Sequence, residues 1–460
     1  MQSWVSRLPE TKKRALKRHL TGFETEFMIL DEEGRITYKA DELLEKIKQE
    51  KIQYPACKEY AHNMIEISSE PKQKLHDAAH GWLQSIDKII EVADREELRL
   101  YPLGTYPGKF SPAARTDEYY RMCEDVIGPK KYLESTGKVL GFHLHYCLPY
   151  GTFDRKSRML RPLFRSKNNR VLLSIYNSII AIDPAASALM ASSPFLDGET
   201  YGKSSRILSY RAMSKKNHGK DIGGLYEDHK IFGGLPRYAM TGTDLILRIE
   251  RQRQTFVNTV EEEYPHYLEL AESLHPLRFY WGALRINRYG TFEYRGPDMN
   301  LPTYLLGTSL LIKYFLKRIR TDELLAIPSD VAMKQPFRVE GNILHLPPFN
   351  YVNEVLQPKS ATDGLDDKQV WTYTKRFVEF ASKYLPKRHD RTMKKIRSCI
   401  EERKTQSDAV IEFAIKNGWE EGTELDDEIS MEIGVFASDM LKKEVRELVD
   451  KDLSIDIEQK

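Results

Sequence analysis

The chain has 460 residues, 41% hydrophobic and 30% charged, which is the balance of a folded globular protein and excludes a disordered one. Its 70 Lys and Arg against 68 Asp and Glu leave a net charge of +2, so nothing electrostatic points to nucleic acid as a partner. No apolar run approaches the roughly 18–20 residues that span a bilayer, which predicts no membrane partner.

In chain order, Met1–Leu20 reads as a short charged helix without the apolar core of a signal peptide, and the expected location is cytoplasmic. A strand is predicted over Gly22–Leu30, followed by a turn at Asp31–Gly34 and a second strand over Asn63–Ser69 that stops before Pro71. Leu75–Leu100 has helical spacing in Leu83, Ile86, Ile89, Ile90 and Ala93. A short strand is expected over Leu100–Tyr106 and another over Gly141–Pro149. Arg170–Met190 reads as a buried helix interrupted by Pro184. Ser192–Pro236 reads as polar loops holding two Gly-Gly-Leu sequences. Helices are predicted over 243–273 and 302–320, with a hairpin over Ala283–Arg295 turning at Arg288-Tyr289-Gly290. Beyond Asp366 the chain is charged amphipathic helix, broken near Gly418 and Gly422. Strands and helices mix without regular βαβ alternation, which favours an α+β fold. The expected division is residues 1–365 as one domain and 366–460 as a helical extension.

Side chains alternate between the faces of a strand, and four strands here share one design. Glu24 and Glu26 oppose Phe23 and Phe27. Glu66 opposes Ile65 and Ile67. His143 and His145 oppose Phe142, Leu144 and Tyr146, and Glu293 and Arg295 oppose Phe292 and Tyr294. A solvated antiparallel sheet also alternates, but its wet face ordinarily carries Thr, Lys, Ser and Gln. Carboxylates side by side need cations to neutralise them. Glu24, Glu26, Glu66 and Glu293 with a histidine therefore form a candidate site for two or three hard divalent ions. Arg285, Arg288 and Arg295 cluster beside Glu293 as candidate phosphate clamps. No G-x-x-x-x-G-K-[ST] or G-x-G-x-x-G loop is present, so phosphates would be held by metals and arginines.

The order G-F-E-T-E-F (22–27), N-M-I-E-I-S-S (63–69), G-F-H-L-H (141–145), A-S-S-P-F-L-D-G (191–198) and G-T-F-E-Y-R (290–295) resembles the glutamate–cysteine ligase type 2 family over residues 20 to 310. That resemblance implies a curved, mainly antiparallel sheet of glutamine-synthetase-like type, flanked by helices and binding ATP with Mg2+, or Mn2+ in its place. It also implies metal ligation by Glu24, Glu26, Glu59, Glu66, His143 and Glu293. Glu24 and Arg295 take the catalytic roles, Arg285, Arg288 and Arg295 the nucleotide, and Arg206, Arg211 and His145 the substrate. The implied reaction converts an amino-acid carboxylate, glutamate by analogy, to an acyl phosphate and couples it to an amine such as cysteine. The sequence departs from the family pattern after the H-x-H, at Tyr146-Cys147-Leu148, and over residues 336–365.

Other readings attach to the same residues. His143 and His145 would suit zinc if further His and Asp ligands followed. Cys147 shares their strand parity, with a structural thiol as the plainer reading. The four cysteines (Cys57, Cys123, Cys147, Cys399) form no C-x-x-C pair. The basic run from Arg155 through Arg165 and Lys167 to Arg170 fits a solvated face. Alternatives to a ligase are a phosphotransferase of the same fold, or a non-catalytic relative. Amino acids are the expected partners, together with a second copy or another protein docking on the C-terminal helices.

Overall fold

The computed structural model describes residues 19–162, 166–211, 213, 216–217, 220–221 and 223–452. The predicted helix over Met1–Leu20 therefore lies, all but its last two residues, outside the described residues, as does Arg165 of the basic run. Strand β1 (Thr21–Asp31) runs through the middle of the main sheet. Helix α1 (Ala40–Lys48), β2 (Cys57–Lys58), β3 (Met64–Ser68), α2 (Leu75–Arg95) and β4 (Leu98–Tyr101) come next. Helices α3 (Glu118–Ile127) and α4 (Pro129–Thr136) precede β5 (Phe142–Cys147). After them come α5 (Lys167–Leu189), α6 (Ser205–Tyr210), α7 (Gly242–Glu263), β6 (Leu284–Asn287), β7 (Thr291–Tyr294) and α8 (Pro302–Thr321). A small sheet of β8 (Leu325–Pro328), β9 (Val339–Glu340) and β10 (Ile343–Leu346) leads to α9 (Lys368–Ser382), α10 (Lys394–Glu402), α11 (Gln406–Lys416) and α12 (Asp427–Asp452).

The main sheet has seven strands in the order β6-β7-β5-β1-β3-β2, with β4 also pairing β1, and every pairing is antiparallel. Its apolar face carries Phe23, Phe27, Ile65, Ile67, Phe142, Leu144, Phe292 and Tyr294, all buried. Helix α2 lies beneath it. The Trp82 ring lies 5.9 Å from that of Phe23, and its indole N–H donates to Thr25 Oγ1 at 3.0 Å. Thr25 in turn donates to Ile67 O, so a polar atom on the apolar face has both partners. The helices after residue 366 join this layer: α12 packs on α2 and β4, and α9 packs on α5 and α8. Gly34, at φ 91°, lets the first turn touch α12, where a Cβ would stand 2.2 Å from Met431 O.

Several boundaries differ from the predicted ones for local reasons. The helix expected to Leu100 ends at Arg95, and Glu97 turns the chain at φ 56° so that Leu98 and Leu100 enter β4. The helix expected over 243–273 stops at Glu263, before Tyr264-Pro265, because proline disfavours helix in the residue ahead of it. Its start is fixed by a capping box between Thr241 and Asp244. Helix α6 interrupts the expected loops after Ser192, capped by the Ser204 hydroxyl. Helix α5 runs through Pro184. By length and composition it could also cross a membrane, contrary to the expectation of no such run, but 89% of its apolar window is buried within the protein.

Asp183 on α5 is a buried hub. It pairs with Arg211 (2.6 Å) and accepts from Gln357 Nε2 (2.6 Å) and the Tyr294 hydroxyl (2.9 Å). Removing one partner of a buried ion pair strands the other charge. Asp183→Ala is expected to lower unfolding stability by about 3–5 kcal/mol, measured by urea denaturation. A loss under about 1 kcal/mol would show that Arg211 finds another partner.

Candidate active site

The register of the sheet turns strand parity into one shared face. Glu24 stands across from His143, Glu26 across from Glu66, and Glu293 across from both His145 and Arg285. Glu59 lies directly after β2 and joins this group. Three sets of donor atoms lie within 4.8 Å of one another: Glu24, Glu66 and His143; Glu26, Glu59 and Glu66; and Glu24, His145 and Glu293. A cleft of about 290 Å³ opens over the first two sets.

Charges at this end are unevenly balanced. Glu24 loses solvation by burial, yet the His145 and His143 imidazoles, 3.0 Å away, hold its carboxyl well below the usual range. Burial disfavours the imidazolium of His145, but Glu24 outweighs it and raises the group. Burial and Arg295 push His143 down, so it stays a neutral donor. Burial and the Glu26 charge raise the Glu59 carboxyl to about 7, against the smaller opposing effects of the Tyr60 backbone N–H and the Arg295 charge. Burial and the charges of Glu24, Glu59 and Glu26 raise Glu66 as well. Nε2 of His143 is buried 3.4 Å from Glu26 Oε1 and makes no hydrogen bond. Crowded carboxylates with raised protonation and an orphaned imidazole nitrogen fit hard divalent cations, which would neutralise the charge. Both histidines group with carboxylates rather than with other histidines, a donor set that suits magnesium or manganese better than zinc.

The expected arginines divide into three kinds. Arg285 and Arg295 line the cleft while clamping the fully buried Glu293, at 2.8 and 2.7 Å. Glu293 also accepts from Asn287 and does not itself line the cleft. Arg288 is exposed at the mouth, over the Tyr289 ring. Arg206 is buried behind the metal end. A Cβ on Gly141 would meet its Nη2 at 2.4 Å and His143 Nε2 at 3.0 Å. Arg211 is not brought to the cleft, because Asp183 and Gly296 O hold its guanidinium in the core. His145, beneath Glu24, is tied to Thr291 Oγ1 at 2.9 Å. Cys147 does not line the cleft. In the basic run, Arg161 pairs with Asp154 and Lys167 with Glu323 at the surface.

Sequence reasoning missed the opposite wall. Tyr119 and Tyr120 come from α3, and Arg278 stacks 4.3 Å over Tyr119 with no carboxylate partner among the described residues. Trp281 is buried and also lines the cleft. Arg278 was the first of a run with Arg285, Arg288 and Arg295, and that spacing was the available signal.

Residues 20–271 match the profile of glutamate-cysteine ligase family 2 (GCS2). The chain belongs to this family. A Corynebacterium glutamicum protein provisionally named glutamate–cysteine ligase 2 is 24% identical over 201 residues, 43% of this chain and 48% of that protein. A Chloroflexus aggregans protein of the same provisional name is 26% identical over 198 residues, 42% of this chain and 43% of that one. The match thus spans about half the length of these curated relatives. A glutamate–cysteine ligase of Francisella tularensis, solved in complex with AMP, superposes with a TM-score of 0.53 at 13% identity, covering 94% of this chain and 95% of that one. A bifunctional glutathione synthetase from Pasteurella multocida gives 0.53 at 14% identity, covering 94% of this chain and 53% of that one. The fold of this family member is accordingly the mainly antiparallel, glutamine-synthetase-like sheet flanked by helices.

A carboxyl raised in the folded state contributes stability below its unfolded value of 4.5 and loses it as pH rises toward the folded value, about 7 for Glu59. EDTA-treated protein should therefore lose thermal stability between about pH 4.5 and pH 7. Added Mg2+ should raise Tm more at pH 8 than at pH 6, since ligand carboxylates must shed protons first. Differential scanning fluorimetry at the two pH values reads this. An equal Mg2+ shift at both would remove Glu59 and Glu66 from the ligand set.

Proposed function

We propose that this protein is an ATP- and magnesium-dependent carboxylate–amine ligase that activates an amino-acid side-chain carboxylate, glutamate by family likeness, as an acyl phosphate. The observation that carries the reading is a single cleft lined both by carboxylates and His143 and by Arg278, Arg285, Arg288 and Arg295. Glu24, Glu26, Glu59, Glu66 and His143 would hold divalent cations, which when bound neutralise phosphate charge and polarise the transferring phosphoryl group.

The chain's own residues position and stabilise. Arg295, fixed by Glu293, and Arg288 at the mouth present guanidinium donors to phosphate oxygens. Arg278, backed by Tyr119, offers a charge for a substrate carboxylate. The substrate's side-chain oxygen attacks the terminal phosphorus of ATP and ADP leaves. A neutral amine, such as that of cysteine, then attacks the acyl carbon, phosphate departs, and an amide remains. Gathering both reactants in one cleft supplies much of the rate by orientation. Family membership supports the ligase reading over phosphate transfer to another acceptor.

Incubation with ATP, Mg2+ and an amino-acid mixture should yield, by mass spectrometry, a product whose mass is that of two amino acids less water, with one phosphate released per amide. Glu24→Gln is expected to reduce this rate by about 100-fold or more. ADP formation with a phosphorylated acceptor and no amide would instead make the protein a phosphotransferase. Absence of any amino-acid-stimulated phosphate release would sink the catalytic reading.

Arg278→Met should raise KM for the carboxylate substrate by about tenfold or more with a smaller change in kcat, as loss of a binding charge does. Steady-state kinetics in varied amino acid checks it. An unchanged KM would assign Arg278 to packing against Tyr119.

A further inference from the structure

A second concavity, of about 430 Å³, lies between the Lys230–Arg237 segment, helix α7 and Phe349. That segment contains the second Gly-Gly-Leu sequence (233–235), which the catalytic cleft does not use. Lys230, Arg237, Arg248 and Arg251 line it, no carboxylate does, and none of the four makes an ion pair among the described residues. In a chain with 70 basic and 68 acidic residues, four unpaired cations around one hollow are not expected from composition. Like charges gathered in a concave wall repel one another and focus a field that attracts anions.

The hollow is also partly preorganised. Arg248 Nη1 donates to the Tyr176 hydroxyl (2.8 Å) and to Arg237 O (2.6 Å), and Nη2 donates to Tyr238 O (3.3 Å). Its guanidinium is thereby fixed while donors remain unspent. Arg237 lies 5.3 Å over the Phe349 ring, which holds a second fork at the rim. Guanidinium forks match phosphate oxygens bidentately, and four positive charges call for more than one phosphate. A single open hollow of about 430 Å³ suits a small molecule better than a nucleic-acid strand, which tracks an extended groove.

We propose that this pocket is a binding site for a small ligand carrying two or more phosphate groups. It is distinct from the catalytic cleft, although one short segment separates them: Tyr280 lines the pocket and Trp281 lines the cleft. The pocket does not depend on the ligase reading.

Isothermal titration of the full chain with inorganic pyrophosphate, in EDTA, tests the assignment without metal in the cleft. Pyrophosphate should bind more tightly than orthophosphate. Arg237→Glu combined with Arg251→Glu, both exposed side chains, should weaken it by about tenfold or more for each charge, with an unaltered melting temperature in the absence of ligand. Arg278→Met combined with Arg288→Glu, in the cleft, should leave it unchanged. ADP titrated alongside identifies the source of the phosphates: affinity above that of pyrophosphate, lost in the first double variant, indicates a nucleotide, and equal affinity indicates the phosphates alone. No heat at millimolar pyrophosphate, equal affinity for orthophosphate, insensitivity to the Arg237 and Arg251 changes, or loss on the cleft changes would each overturn the proposal.

Discussion

Carboxylates held a few ångströms apart on a half-buried sheet face set the terms for everything around them. Two unit charges 4.8 Å apart, the outer spacing of the donor groups here, repel by about 3 kcal/mol at an effective dielectric of about 20. That exceeds the roughly 1 kcal/mol that an ordinary hydrogen bond contributes, so hydrogen bonding alone cannot hold the cluster fully ionised. The chain responds in two ways. Glu24 keeps its charge because two imidazoles flank it, while Glu59 and Glu66 take up protons unless a cation arrives. Backbone and core then hold the cluster rigid, with the Gly141 N–H on Glu26, Ser68 on Glu66 and the Trp82–Thr25–Ile67 chain beneath.

The arginines show how the same residue type serves opposite ends. Arg211 and Arg285 spend their guanidinium groups on buried carboxylates, where they hold the fold and aim neighbouring strands. Arg278 and Arg288 rest on tyrosine rings instead, and their donors remain available to a ligand. The distinction lies in what faces each side chain. A linear motif cannot carry it, and this is why Arg211 was expected at the substrate and lies instead on Asp183.

Much of the cluster was legible because a strand's side-chain period is two. Once β1, β3, β5 and β7 were recognised, parity alone placed Glu24, Glu26, Glu66, His143 and Glu293 on one face. Parity says nothing of strand order, however, and the crossings Glu24–His143 and Glu26–Glu66 come from a register that links residues far apart in sequence. Helices α3 and α4 went unseen. At ten and eight residues they are too short for a firm periodic signal, although Gly128-Pro129, with glycine at φ 115° before a proline at the first helical position, was a readable start. Missing α3 meant missing the tyrosine wall and the support of Arg278. The three-stranded sheet at 325–346 was hidden because β9 has only two residues and no periodicity to show.

The contact between Gly34 and α12 has a consequence for how the chain reaches this structure. The first turn after β1 is among the earliest described segments to be synthesised, and its packing partner is among the last. Loop closure over so long a separation costs entropy before any contact rewards it, which slows folding. Until α12 emerges from the ribosome, the α2–β4 surface it covers and Leu30 of β1 beside it stay open, and a nascent chain stalled before that point would present them to chaperones.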